Sequence, residues 1–146
     1  MRMSLEPSAD PATYHYAHDI RVRFAETDAM GIVHHAAYFP YFEEARVAFL
    51  RHIDHPYTSV REEGFELTVL EAFARYVRPL RFDDVVRVHV AVGAVTRATF
   101  QVAYLLTVAD ELCATGVTVH GCVTPEGQAV RLPAWLPEVA KRYGDG

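Results

Sequence analysis

Lysine is nearly absent from this chain: of 14 basic residues only Lys141 is a lysine, the other 13 being arginines, and the net charge is −5 with a pI near 5.9. That balance excludes a generally basic nucleic-acid binder, while leaving room for a local arginine cluster that meets a small anion. Cysteine is scarce too. Cys113 and Cys122 form no CxxC and are too few for a disulfide scaffold, so both are expected as small buried thiols in a reducing compartment. No apolar run approaches the roughly 20 residues of a membrane-spanning helix. The N-terminal stretch is Pro/Ser/Ala-rich without the hydrophobic core of a signal peptide, which makes residues 1–17 an expected flexible tail and the cytoplasm the expected location. What is present is the balance of a globular protein, 51% hydrophobic and 23% charged over 146 residues, enough for one domain at 18–143 and too little for two.

Ile20-Arg-Val-Arg-Phe24 alternates apolar and charged residues and predicts a strand with one buried face. Residues 25–37 break the alternation and read as a structured loop. From Tyr38 to His52 apolar residues fill most of a helical circumference, so this helix is expected to be buried on more than one side. Pro40 is tolerated there because the first turn has no use for its missing N–H. A short helix through Glu63 follows, ended by Gly64; then come strands at Phe65–Tyr76, Val86–Val92, Phe100–Val108 and Thr115–Val123, and a short helix between Pro133 and Tyr143. The last three strands can form an antiparallel meander. One helix against one sheet leaves strand edges uncovered, and pairing with a second copy is the simplest remedy.

The chemistry sits in the loop ahead of the long helix. It holds a carboxylate (Asp28), a glycine that permits close backbone approach (Gly31), adjacent histidines (His34, His35) and the free N–H groups of a helix start. Such donors stabilise a developing oxyanion, and a carboxylate beside them attacks a carbonyl or activates water. By themselves these residues define a site suited to acyl transfer or hydrolysis, and equally a loop merely capped by Thr27 and Asp28.

Asp28-x-x-Gly31-x-Val33-x-His35-x-x-Tyr38, continued by Phe42-Glu43-x-Ala45-Arg46, resembles the signature of the 4-hydroxybenzoyl-CoA thioesterase family of hotdog-fold acyl-CoA thioesterases, and within it the YbgC-like branch. Arg75-Tyr76-x-x-Pro79-x-x-Phe82-Asp83-Asp84, Thr96-Arg97-Ala98-Thr99-Phe100 and Gly127 with Arg131-Leu132-Pro133 extend the likeness over roughly residues 18–138. The resemblance implies an α+β hotdog fold, a curled antiparallel sheet of about five strands wrapped around one long buried helix. It implies homodimers or homotetramers with active sites at the subunit interface, and hydrolysis of acyl-CoA without any further cofactor. Asp28 falls on the catalytic carboxylate, acting as nucleophile or general base. His35 falls on the position whose backbone N–H faces the thioester carbonyl, and Tyr38 on the aromatic at the helix head. Gly31, Tyr38, Thr96, Arg97 and Thr99 are implied as substrate contacts, the last three near the coenzyme A phosphates. Ala37, Pro40 and His34 depart from many relatives and bear on the acyl pocket.

Adjacent histidines ahead of a helix lack the i, i+4 spacing of a zinc motif, so no metal is expected. Glu43 and Arg46, at i, i+3, read as a buried or interface ion pair, and His89 and His120 as packed or exposed strand residues. Two other functions remain open: hydrolysis of acyl-carrier-protein thioesters, disfavoured by the acidic balance, and a non-catalytic acyl-CoA-binding module.

Overall fold

The computed structural model describes residues 2–144. Five strands form one antiparallel sheet: β1 (Ala17–Arg21), β2 (Glu66–Tyr76), β3 (Val85–Gly93), β4 (Phe100–Val108) and β5 (Glu111–Val123), in the order β1-β3-β4-β5-β2. The helices are α1 (Tyr38–His52), α2 (Tyr57–Glu62) and α3 (Leu136–Tyr143). The sheet curls around α1, which is the hotdog architecture, and β3-β4-β5 is the expected meander. The helix buries Tyr41, Phe42, Ala45, Ala48, Phe49 and Leu50, so a nearly all-round apolar pattern did signal enclosure on several sides. Phe42 lies flat against Tyr104, with ring centroids 4.4 Å apart and planes 8° apart. That stack needs Gly116 beneath it: a Cβ there would overlap the Phe42 ring and stand 3.0 Å from the Phe73 carbonyl oxygen.

Two segments differ from expectation. The first strand lies at Ala17–Arg21 rather than 20–24. The inward alternation holds for Ile20 and Val22, but Val22 leaves the ladder to exchange backbone hydrogen bonds with Asp83 and Asp84, and Phe24 turns out into a 3-10 turn, 75% exposed. The second is the expected flexible tail, whose described residues lie docked. The Arg2 and Met3 amides donate to the Glu71 carboxylate at 2.8 and 3.0 Å, and those of Ser4 and Leu5 donate to Gln101 Oε1 at 2.9 Å each. Leu5 and Tyr14 cover Ala91, Ala103 and Leu105 on the outer face of the sheet, apolar surface that would otherwise meet water. A Pro- and Ser-rich composition conceals such a strap, because its hold comes from backbone amides, one leucine and one tyrosine.

β2 is an edge strand. Along it Val69 (52% exposed), Leu70, Phe73 and Tyr76 (49%) present apolar side chains, and the register shifts between Val69 and Glu71. Cys113 and Cys122 are free and buried, and burial pushes both thiols up. Among the described residues no helix is long and apolar enough to cross a membrane.

Candidate active site

The loop from Thr27 to Ala37 is a tight, internally bonded structure. Gly31 N–H donates to the Asp28 carbonyl (2.9 Å) and Asp28 N–H to the Ile32 carbonyl (2.8 Å), closing a turn that takes Gly31 to φ 79°, where a side chain is disfavoured. Asp28 Oδ1 accepts the Met30 N–H at 2.8 Å, which fixes the carboxylate and leaves Oδ2 without a partner among the described residues. Val33 N–H then donates to the Leu80 carbonyl and His34 N–H to that of Glu26, tying the loop to its neighbours.

Glu26 is the anchor. Burial opposes its ionisation, but the Arg23 backbone amide (2.8 Å), the Tyr41 hydroxyl (2.7 Å) and the Arg23 guanidinium outweigh it, and the carboxyl lies below its usual range. Burial, reinforced by Glu26, pushes the Tyr41 phenol far up, so Tyr41 stays a donor and pins the loop to α1.

At the helix head the accounting of backbone donors singles out one group. A 3-10 turn, His35–Ala37, runs directly into α1. His34 caps it: Nδ1 accepts the Ala36 N–H at 3.0 Å and the His34 carbonyl accepts the Ala37 N–H at 2.9 Å. The Tyr38 N–H donates to the His35 carbonyl. The His35 N–H is the first amide of this continuous helical run and donates to no described residue. It carries the positive end of the helix dipole.

Asp28, His35 and Tyr38 line one groove together with Ile32, Val33 and the segment Tyr76–Pro79, about 330 Å³ in volume. The Tyr38 ring meets that of Tyr76 edge-on at 4.8 Å, and burial raises the Tyr38 phenol although the Leu80 N–H donates to its oxygen. No hydrogen bond joins the His35 imidazole to Asp28; that ring stacks on His34 at 4.3 Å instead. Tyr76, Val77 and Pro79 form a wall the sequence did not single out as site residues. Arg78, also there, pairs with Glu111.

Thr96, Arg97 and Thr99 lie elsewhere, in the turn between β3 and β4. Thr96 Oγ1 accepts the Ala98 and Thr99 N–H groups and stands 3.0 Å from Thr99 Oγ1, so the two hydroxyls close the turn. Thr96 and Arg97 line a second groove, with Arg131, Leu132 and Pro133 opposite. The Arg97 guanidinium has no partner among the described residues, and the two grooves share no lining residue. No three His, Cys, Asp or Glu side chains cluster as metal ligands among the described residues.

The curled sheet, the enclosed helix and the groove at its head define the hotdog class of proteins. The sequence model of the thioesterase-like superfamily matches residues 22–142, and the chain belongs to that superfamily and is a thioester hydrolase. A putative esterase of Aquifex aeolicus is 44% identical over 121 residues, covering 83% of this chain and 94% of that protein. A putative acyl-CoA thioesterase of Bacillus subtilis is 30% identical, covering 74% and 79%. The crystal structure of a hypothetical Aquifex aeolicus protein superposes with a TM-score of 0.82 at 41% identity, over 86% of this chain and 99% of that one.

Proposed function

We propose that the chain is an acyl-CoA thioesterase, cleaving an acyl-CoA with water to a carboxylic acid and free coenzyme A. One observation carries the reading: a carboxylate oxygen without a partner and a helix-head amide without an acceptor line the same groove. The thioester carbonyl oxygen lies toward the His35 N–H, and one such donor is worth about 3 kcal/mol of barrier. Asp28 Oδ2 then acts at the carbonyl carbon. It either adds directly, expelling the thiolate to leave an anhydride that water opens, or takes a proton from water as the water's oxygen adds and the thiolate departs. Oδ1 stays bound to the Met30 amide throughout, so the carboxylate does not rotate away. The thiolate leaves readily and collects its proton from solvent.

In this reading the protein is a homo-oligomer joined along β2. Tyr76 and Val77 stand both on that apolar edge and in the groove, so covering the edge with a second copy also walls the site. Arg97, with Arg131 in the same groove, holds coenzyme A phosphates from the partner's side, since guanidinium forks suit phosphate. Thr96 and Thr99 shape that turn. The relatives' names support the substrate class, one being a putative acyl-CoA thioesterase.

The test is thiol release from a panel of acyl-CoA esters. Asp28→Asn is expected to lower kcat by about 10²–10⁴. Equal activity in both would remove Asp28 from the mechanism, and binding without turnover by the native protein would make it a binding module.

A further inference from the structure

Farther along α1 than the Asp28 groove, between the helix and the sheet, lies a more enclosed cavity of about 340 Å³. Its wall is mostly aliphatic and aromatic, including Leu50, Val92 and Phe100, with four polar residues: Glu43, Arg46, Tyr57 and His120. The polar ones do not all have capacity to spare.

Hydrogen-bond logic settles which do. His120 is 1% exposed, and Nδ1 lies 3.1 Å from the Thr68 carbonyl oxygen, which can only accept, so Nδ1 carries the proton. Burial, with the nearby Arg46 charge, pulls the imidazole pKa down to about 3, so Nε2 is unprotonated and accepts. It accepts from Thr118 Oγ1 at 2.7 Å; that oxygen accepts the Tyr104 hydroxyl at 2.7 Å, and the Tyr104 oxygen accepts Arg46 Nη1–H at 3.0 Å. The chain runs one way, from Arg46 through Tyr104, Thr118 and His120 to the Thr68 carbonyl, and every hydroxyl and imidazole donor in it is spent. Tyr57 is spent as well, donating to Glu66 at 3.0 Å and accepting the Leu67 amide at 3.2 Å.

Arg46 remains. It uses one N–H on Tyr104, out of the five a guanidinium owns, and the relay holds it in position. It has no carboxylate within ion-pair distance among the described residues; the expected pair with Glu43 is not formed. A half-buried guanidinium lining an apolar cavity, with unspent donors and no carboxylate within ion-pair distance, is an anion subsite by its chemistry.

We propose that this cavity receives the far end of the acyl group and that Arg46 selects acyl groups ending in a carboxylate, which its planar fork binds with two parallel hydrogen bonds. The inference rests on the thioesterase reading of the Asp28 groove. Both sites lie along α1. Arg46 follows His35 by 11 residues (46 − 35), about 16 Å of helix, and helical side chains lean toward the N-terminus, so a dicarboxylic chain of moderate length spans the interval. The apolar wall accepts its methylenes. Glu43, one turn from Arg46 on the same cavity wall, tempers the preference by repelling the terminal carboxylate.

The test compares kcat/KM for matched esters: adipoyl- against hexanoyl-CoA, suberoyl- against octanoyl-CoA, and sebacoyl- against decanoyl-CoA. The native protein is expected to prefer the carboxylate-ended member of at least one pair by about tenfold or more, the range of a charge-assisted hydrogen bond. Arg46→Met is expected to erase that ratio, mainly through KM, Arg46→Lys to restore part of it, and Glu43→Gln to raise it. Arg46→Met should fold, since Tyr104 still donates to Thr118 and loses only an incoming bond. A merely structural Arg46 would shift melting temperature and both esters together, leaving the ratio fixed. Asp28-dependent hydrolysis with plain chains preferred, or a ratio unmoved in Arg46→Met, overturns this inference and leaves the thioesterase reading intact. Hydrolysis of neither series overturns both.

Discussion

Proline at position 35 separates the backbone of His35 from its side chain. The proposed mechanism needs the His35 N–H and nothing in the fold uses it: no described residue accepts from it, and it opens a helical run where proline is tolerated. The preceding residue is already suited, because His34 sits at φ −63°, ψ 139°, in the extended region that proline demands of its predecessor. His35→Pro should therefore fold with a melting temperature close to that of His35→Ala, which loses the imidazole and keeps the amide. The ratio of their rates reads the amide alone. Removing one donor to the oxyanion costs about 2.7–4 kcal/mol, so kcat for His35→Pro should fall about 10²–10³ below that of His35→Ala. KM should move little, since the donor acts on charge that develops only in the transition state. Thiol release under saturating acyl-CoA measures it, with thermal melts of both variants as the control. If a well-folded His35→Pro protein runs within a few-fold of His35→Ala, the helix-head amide is not the oxyanion donor.

Gly116→Ala puts a methyl into the Phe42 ring and against the Phe73 carbonyl; it should destabilise by about 1–3 kcal/mol in urea unfolding, whereas alanine at an open position such as Gly127 would be strained by the φ of 88° alone. His120 sets a pH dependence. Its folded pKa is depressed to about 3 against an unfolded value near 6.5, so the unfolded chain binds the proton first. Stability is therefore full above about pH 6.5 and falls from there toward pH 3, at up to about 1.4 kcal/mol per unit from this residue. His120→Gln should flatten that slope in denaturation series between pH 7 and 4, and in the native protein the imidazole NMR signals should stay in the neutral Nδ1–H form over that range.

The long helix was readable to the residue because one pattern spoke for it: apolar side chains at nearly every angle between Tyr38 and His52 suit only a helix enclosed by other structure. The meander was readable for a similar reason, each strand alternating with period two and ending at a turn. The strap across the outer face carries no such pattern. Its binding partners are the side chains of Glu71 and Gln101, and Gln101, like His89 and Thr107 on the same face, is a polar residue at a buried strand position, a sign that something covers that face.

The site divides along the same line. Asp28, Gly31, His35 and Tyr38 fall within one short segment, and local turn chemistry brings them together, so their spacing carried most of the geometry. Thr96, Arg97 and Thr99 form an equally compact turn, yet in the proposed oligomer its place relative to Asp28 depends on how two copies meet, about which spacing is silent. The relay to Arg46 crosses α1, β4 and β5, and only Thr118 and His120, two apart and hence on one face, hint at it in sequence. Sequence made Glu43 the natural partner of Arg46, because i, i+3 on a helix is a favourable pairing. A tyrosine hydroxyl from β4 takes that place, and the guanidinium is left with donors that no carboxylate meets. A local rule fails there in favour of a long-range contact, and such failures concentrate where a protein reserves a group for something other than itself.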